Sequence, residues 1–257
     1  RALEKAKTLN VDCLLLDLED AVAPDSKEDA RQQIVSAVQG GGYGDREVVI
    51  RINGLDTQWG EDDLKAAVTA DPDAILVPKV NSPADLERTA HLLSLNGASK
   101  DLKLWAMMET PQAMLNAAAI AACGRDPEVR LSCFVMGTND LAKETRAQLN
   151  PGRAVMTPWL MTCVAAARAG GIDILDGVYN NFSDLEGFAA ECAQGAEMGM
   201  DGKTLIHPKQ IEACHTAFSP SEEEVAWARR INDVFAEPEN ANKGAIQVDG
   251  KMVERLH

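Results

Sequence analysis

At 257 residues with 46% apolar side chains, the chain holds enough material for one large core. Chains of this size often form a single α/β barrel rather than two domains. A formal net charge of −15, with acids dispersed through stretches such as Glu222-Glu223-Glu224, argues against nucleic acid or an anionic membrane surface as partner.

The chain opens on Arg1-Ala2-Leu3-Glu4-Lys5-Ala6-Lys7, which reads as a helix already under way rather than a signal peptide. Short apolar runs then alternate with amphipathic stretches, the pattern of repeated β-α units on a parallel sheet. Strands are expected at Cys13–Leu18, Glu47–Ile52, Ala74–Pro78, Leu102–Met108, Ser132–Gly137, Ile172–Val178 and Lys203–Ile206. Helices between them include Asp62–Thr69, Pro83–Leu95, Gln112–Cys123, Trp159–Ala169 and Ser183–Met198. This is one strand short of a closed (β/α)8 TIM barrel. Because the chain begins inside a helix, the simplest repair is a first strand missing from the chain, with Cys13–Leu18 as the second. The competing topology is an open doubly wound sheet.

Residues 1–220 form the barrel domain in this reading, and the character changes over 221–257. Glu222–Val234 reads as a helix, Pro238–Gly244 as a polar loop, and Ala245–Val248 with Met252–Leu256 as two short strands or a flap around Asp249-Gly250. Such a tail is too short for a second domain and is expected to be a lid or a subunit contact. The six cysteines form no Cys-x-x-Cys pair, which suits reduced thiols in a cytoplasmic protein without zinc. No apolar stretch approaches the roughly 20 residues that span a bilayer.

Two apolar runs drive straight into a lone carboxylate beside turn-forming residues: Met107-Met108-Glu109-Thr110-Pro111 and Val135-Met136-Gly137-Thr138-Asn139-Asp140. Parallel strands would gather their C-terminal ends at one rim, together with Asp17, Glu19, Asp20, Arg51, Asn53, Lys79, Asp176 and His207. Glu109 and Asp140 side by side would offer oxygen ligands to Mg²⁺, with Glu19 or Asp20 holding its waters. The alternative is that each acid caps the helix that follows. Arg51 at a strand end suits an oxyanion or a ligand carboxylate, or else a salt bridge to Glu19 or Asp20. The turn Gly137-Thr138-Asn139 offers backbone N–H groups to a small carboxylate, or simply caps a helix. His207 reads as a base or a hydrogen-bonded structural residue. Lys79 lacks the apolar surroundings that would make it a Schiff-base lysine.

Several segments, in this order, resemble the citrate lyase β-subunit-like (HpcH/HpaI aldolase/citrate lyase) family. They are Leu14-Leu15-Leu16-Asp17-Leu18-Glu19-Asp20-Ala21-Val22, Val49-Ile50-Arg51-Ile52-Asn53-Gly54, Leu76-Val77-Pro78-Lys79-Val80, Met108-Glu109-Thr110-Pro111 and Gly137-Thr138-Asn139-Asp140-Leu141. Asp176-Gly177-Val178-Tyr179 and Asp201-Gly202-Lys203-Thr204-Leu205-Ile206-His207-Pro208 extend the resemblance over nearly the whole chain, which is most similar to the branch of malyl-CoA lyases and (3S)-malyl-CoA thioesterases.

The resemblance implies a (β/α)8 barrel, Mg²⁺ chemistry on a CoA thioester with a small 2-oxo or 2-hydroxy acid, and a homotrimer or homohexamer. It makes Glu109 and Asp140 the metal ligands and Arg51 the catalytic residue facing the substrate oxyanion. Glu109 and the turn Gly137, Thr138 and Asn139 become substrate-binding, and Glu19 and Asp20 support the metal from behind. In relatives, a C-terminal flap of a neighbouring subunit brings an Asp as acid or base. Here Gly250-Lys251-Met252-Val253 is followed by Glu254 instead. The expected reaction is retro-Claisen cleavage of malyl-CoA, or a close homologue, to glyoxylate and acetyl-CoA. Hydrolysis of (3S)-malyl-CoA to malate and CoA is the first alternative, and a non-catalytic CoA-ester-binding subunit of a lyase complex the second.

Overall fold

A strand forms at each of the seven expected places, the last only over Gly202–Lys203 where Lys203–Ile206 is expected, and they lie side by side in the order in which the chain makes them. The computed structural model describes residues 2–240 and 242–255. Its elements are α1 (Ala2–Ala6), β1 (Cys13–Asp17), α2 (Lys27–Gln39), β2 (Glu47–Arg51), α3 (Gly60–Ala70), β3 (Ala74–Val77), α4 (Pro83–Leu95), β4 (Lys103–Met108), α5 (Pro111–Ala122), β5 (Leu131–Met136), α6 (Thr138–Thr145), α7 (Thr157–Gly170), β6 (Asp173–Asp176), α8 (Leu185–Glu197), β7 (Gly202–Lys203), α9 (Ile211–Phe218), α10 (Glu222–Ala236), β8 (Ala245–Val248) and β9 (Lys251–Glu254).

Every neighbouring pair from β1 to β7 is parallel. A doubly wound sheet must reverse its strand order at a switch point. This sheet never does, so that topology is excluded. The alternation of side chains along each strand divides the interior in two. Val49, Ala74, Leu76, Trp105, Cys133 and Val135 pack together on one face, joined by Cys13, Leu15, Met107 and Leu175. Contacts running from β1 round to β6 on that face mean that the sheet curls around it. The alternate residues, among them Leu14, Leu16, Val48, Ile50, Ile75, Leu104, Phe134 and Ile174, face the helices in the larger core. Edge strands β1 and β7 border a cleft of about 650 Å³, lined by Cys13, Leu14 and Leu15 on one side and Gly202 and Lys203 on the other.

Helix starts follow local chemistry. Pro83 opens α4 behind a capping box in which Ser82 and Asp85 satisfy each other's backbone donors. Thr110 accepts the Ala113 N–H at the start of α5, and Ser221 with Glu224 boxes the start of α10.

The last segment has a core of its own. Ile231, Ile246, Val248 and Val253 are buried together with Trp227, Val234 and Phe235 packed against them, so α10 and the β8–β9 hairpin form one unit. Asp249 and Gly250 at φ 48° and 81° make its two-residue turn. Val248 pairs with Lys251 across that turn, which starts β9 one residue earlier than the apolar pattern suggests. Leu256, the expected end of that strand, lies outside the described residues, as do Arg1 and Ala241.

Candidate functional site

Parallel pairing places the residues that follow the strands on a common rim. Asp17 ends β1 directly opposite Arg51 at the end of β2, and Met108 ends β4 opposite Met136 at the end of β5.

Arg51 grips Asp17 through two parallel bonds, Nε to Oδ1 at 2.7 Å and Nη2 to Oδ2 at 2.6 Å. Its Nη1 lies 3.0 Å from Glu19 Oε2 and 3.3 Å from Asp20 Oδ2. Burial opposes the guanidinium charge, but these carboxylates outweigh it and hold Arg51 charged. The same pairing draws Asp17 below the ordinary carboxylate range against the pull of burial. Of the two readings of Arg51, the salt bridge is the one formed here, with Asp17 as the principal partner.

Glu19 is buried and accepts from Lys79 Nζ at 2.9 Å. Its Oε2 is near Arg51 Nη1 but is not aligned with an N–H, so this buried oxygen has no hydrogen-bond partner. Burial therefore prevails and raises the Glu19 carboxyl despite its two cationic neighbours. The backbone beneath is pinned by Lys27, a buried lysine whose Nζ donates to the carbonyls of Leu18 and Glu19 at 2.8 and 2.6 Å and to Asn53 Oδ1 at 2.8 Å. Asn53 is held in turn by Asp63, which Arg31 Nε meets at 2.7 Å.

Glu109, 2% exposed, follows β4. Because Thr110 caps α5, Glu109 does not, and its Oε1 instead accepts the Lys79 N–H at 2.8 Å. Lys79 adopts φ 49° there, a conformation side chains other than Gly seldom take. Burial pushes the Glu109 carboxyl up to about 8; the Lys79 N–H opposes this, and the charges of Glu19 and Asp140 add to it. The Lys79 ammonium is raised: burial alone would lower it, but Glu19 outweighs burial. That is the opposite of what a Schiff-base lysine needs.

Gly137 N–H donates to the Met108 carbonyl at 3.0 Å, which brings the start of α6 against Glu109. A Cβ at Gly137 would stand 2.3 Å from the Glu109 Cβ, so close approach demands glycine here. Its N–H is spent, which leaves Thr138 and Asn139 as the donors of the expected carboxylate turn. The Asn139 side chain exchanges hydrogen bonds with Asn180 at 3.1 and 2.8 Å. Asp140 lies in the first turn of α6.

The donor set suits a hard divalent cation. Among the described residues no group of three or more His, Cys, Asp or Glu side chains is arranged to hold a metal. Mg²⁺ commonly takes only one or two protein carboxylates, keeping waters and substrate oxygens for the rest. A Glu109 raised by burial, with the charges of Glu19 and Asp140 adding to the rise, is a group that a divalent charge would relieve.

Other expected residues lie elsewhere. Glu254 is on β9, in the unit built with α10 rather than at the ends of the sheet strands. His207 accepts the Lys209 N–H on Nδ1 and stacks on Phe182. A second network went unnoticed in the sequence. Asp176, fully buried, receives Arg153 Nη1 at 2.6 Å and Lys203 Nζ at 2.7 Å, and Lys203 also meets Glu191 at 2.7 Å. Burial opposes its charge, but the two cations draw Asp176 below the ordinary range. Only the strand-end position of Asp176 signalled it; nothing local marks Arg153 or Lys27 as buried.

Residues 1–208 match the model of the HpcH/HpaI aldolase/citrate lyase family. The chain is 52% identical to a (3S)-malyl-CoA thioesterase of Cereibacter sphaeroides over 257 residues, all of this chain and 86% of that relative. It is 32% identical to citrate lyase subunit beta of Escherichia coli over 248 residues, 95% of this chain and 81% of the other. Among solved structures it resembles CitE from Mycobacterium tuberculosis in complex with magnesium, acetoacetate and coenzyme A, at TM-score 0.74 and 29% identity over 96% of this chain and 85% of that one. A citrate lyase from Burkholderia xenovorans, at TM-score 0.79 but 21% identity over 94% of this chain and 78% of that one, shares the fold.

Proposed function

The chain belongs to the HpcH/HpaI aldolase/citrate lyase family, and on that footing we propose that it is a Mg²⁺-dependent enzyme hydrolysing (3S)-malyl-CoA to malate and CoA. The observation that carries this reading is whole-chain identity of 52% with a relative named for that activity. It moves hydrolysis ahead of the cleavage to glyoxylate and acetyl-CoA that the motifs first suggested.

Glu109 and Asp140 would hold the cation, with Glu19, and Asp20 beside it, anchoring its waters. Bound there, Mg²⁺ would supply positive charge to the oxygens of the hydroxy acid. The N–H groups of Thr138 and Asn139 would take the substrate carboxylate. Arg51 and Lys79 keep positive charge beside the thioester oxygen as it becomes an oxyanion. Glu254, on the hairpin of a neighbouring copy in a homotrimer or homohexamer, would accept the proton of the water that adds to the thioester carbonyl, after which CoA leaves as the thiolate. Glu is one methylene longer than the Asp expected at this place, and proton transfer depends on hydrogen-bond reach.

The expected eighth strand would seat in the cleft between β1 and β7, whose outer edges pair with no other strand among the described residues. No helix of the described residues is long and apolar enough to cross a membrane.

Incubating the purified protein with (3S)-malyl-CoA and Mg²⁺ tests the proposal. Malate with free CoA supports it; glyoxylate with acetyl-CoA would move the protein to the lyases. CoA binding without turnover would make it a binding subunit.

A further inference from the structure

Lys27, the first residue of α2, is 6% exposed, with its ammonium 5.3 Å from the centre of the Trp59 ring. A buried cation is costly unless it is paired. At the start of a helix it also stands at the positive end of the helix dipole. Yet its three hydrogen bonds go to neutral oxygens rather than to a carboxylate: the carbonyls of Leu18 and Glu19 and Oδ1 of Asn53. A side chain of the same length without the charge, such as Met, would fill this space without either cost.

The turn gripped in this way is the one that carries Glu19 and Asp20. Asp17 collects its donors, accepting the N–H groups of Glu19 at 2.8 Å and Ala21 at 3.0 Å, and Lys27 collects two of its acceptors. Asn53, two residues past Arg51, extends the tie to the end of β2. Its Nδ2 donates to the Leu18 carbonyl at 2.8 Å and to Asp63, which also accepts its N–H at 3.0 Å. Above this frame the Glu19 side chain meets Lys79 and Arg51, and that of Asp20 meets Arg51. One ammonium therefore fixes the main chain beneath both carboxylates and joins it to the strand end that bears their arginine.

We propose that Lys27 is a positioning residue for the cation site: it holds the turn so that Glu19 and Asp20 keep the reach at which they order the waters of a bound divalent cation. This rests on the reading of Glu19 and Asp20 as anchors of those waters and extends it to the residue that aims them. Groups behind a metal's own ligands set its affinity by orientation. Lys27 lies one step further back and acts on the main chain, touching neither the cation nor the substrate.

Calorimetric titration of Mg²⁺ with malate present, at a temperature where circular dichroism shows each variant folded, tests the proposal. Lys27→Met is expected to weaken Mg²⁺ binding about tenfold. A lowered melting temperature with an unchanged Mg²⁺ dissociation constant is the result of a purely structural lysine and overturns it. Because Lys27 acts through Glu19 and Asp20, adding Lys27→Met to a protein that carries Glu19→Gln and Asp20→Asn should weaken binding by less than about twofold, and a further loss of about tenfold there overturns it as well. If Lys27→Met does not fold, Trp59→Leu takes its place. It keeps the three hydrogen bonds and removes only the ring beside the ammonium, with an expected loss of about threefold; no loss overturns the proposal. Should the wild type bind no Mg²⁺, the metal reading fails separately, and a crystal structure of the folded variant decides. Glu19 drawn away from Lys79 supports the positioning role, and a contact kept at 2.9 Å overturns it.

Discussion

Glu109 and Asp176 are both buried carboxylates at strand ends, 2% and 0% exposed, yet their acidities move in opposite directions. Asp176 receives two cations and is drawn down. Glu109 receives one backbone N–H and is pushed up to about 8 by burial, with Glu19 and Asp140 adding to the rise. Burial alone therefore does not set the acidity of a carboxyl; direct pairing of its oxygens with cations does. In the β6–β7 network each oxygen of Asp176 meets a cation, Arg153 on one and Lys203 on the other. On the β1–β5 rim Arg51 and Lys79 are paired with Asp17 and Glu19, which leaves the Glu109 carboxylate, where a cation is proposed to bind, without a direct ion pair among the described residues.

Several changes should separate the two regions, the largest first. Asp176→Asn leaves Arg153 and Lys203 as poorly compensated buried charges and should destabilise the fold by about 3–5 kcal/mol in urea unfolding. Glu109→Gln should do the reverse. It removes a carboxylate the fold disfavours, so stability holds or rises, while kcat falls by at least about a hundredfold. Full activity in Glu109→Gln would sink the metal assignment. Gly137→Ala drives a methyl into Glu109 and should cost about 1–3 kcal/mol, with Mg²⁺ activation weakened, as thermal melts with and without the ion would report.

The pH dependence should also divide. Asp176 contributes stability above its ordinary value of 3.8, lost as pH falls through its depressed folded value. The metal-free protein keeps a proton on Glu109 between 4.5 and about 8 that the unfolded chain has released. Its contribution therefore declines as pH rises through that window, by on the order of 1 kcal/mol per unit. Melts across pH should show the acid limb shrink in Asp176→Asn and the neutral slope flatten in Glu109→Gln.

The sheet was legible because each strand is an apolar run between turn residues, and the winding followed from their spacing. Glu109 was legible because a carboxylate directly after such a run has no ordinary place in a core, and Asp140 because it follows the turn that ends the next strand. The pairing of Arg51 with Asp17 was not, since it depends on register across two strands. Lys27 and Arg153 were hidden for a related reason: each sits in a polar local sequence and is buried by partners distant in the chain. The choice between hydrolysis and carbon–carbon cleavage was hidden because the two reactions are expected to share the strand-end motifs, and Glu254, proposed to take part, lies on the separate β9 hairpin.

The central claim is that Glu109 is an acid waiting for a cation, and calorimetric titration of Mg²⁺ with malate present, near pH 7 in two buffers of different ionisation enthalpy, tests it most directly. The account predicts release of close to one proton per Mg²⁺ bound, and loss of both binding and release in Glu109→Gln. Mg²⁺ binding that is unchanged in Glu109→Gln would contradict it.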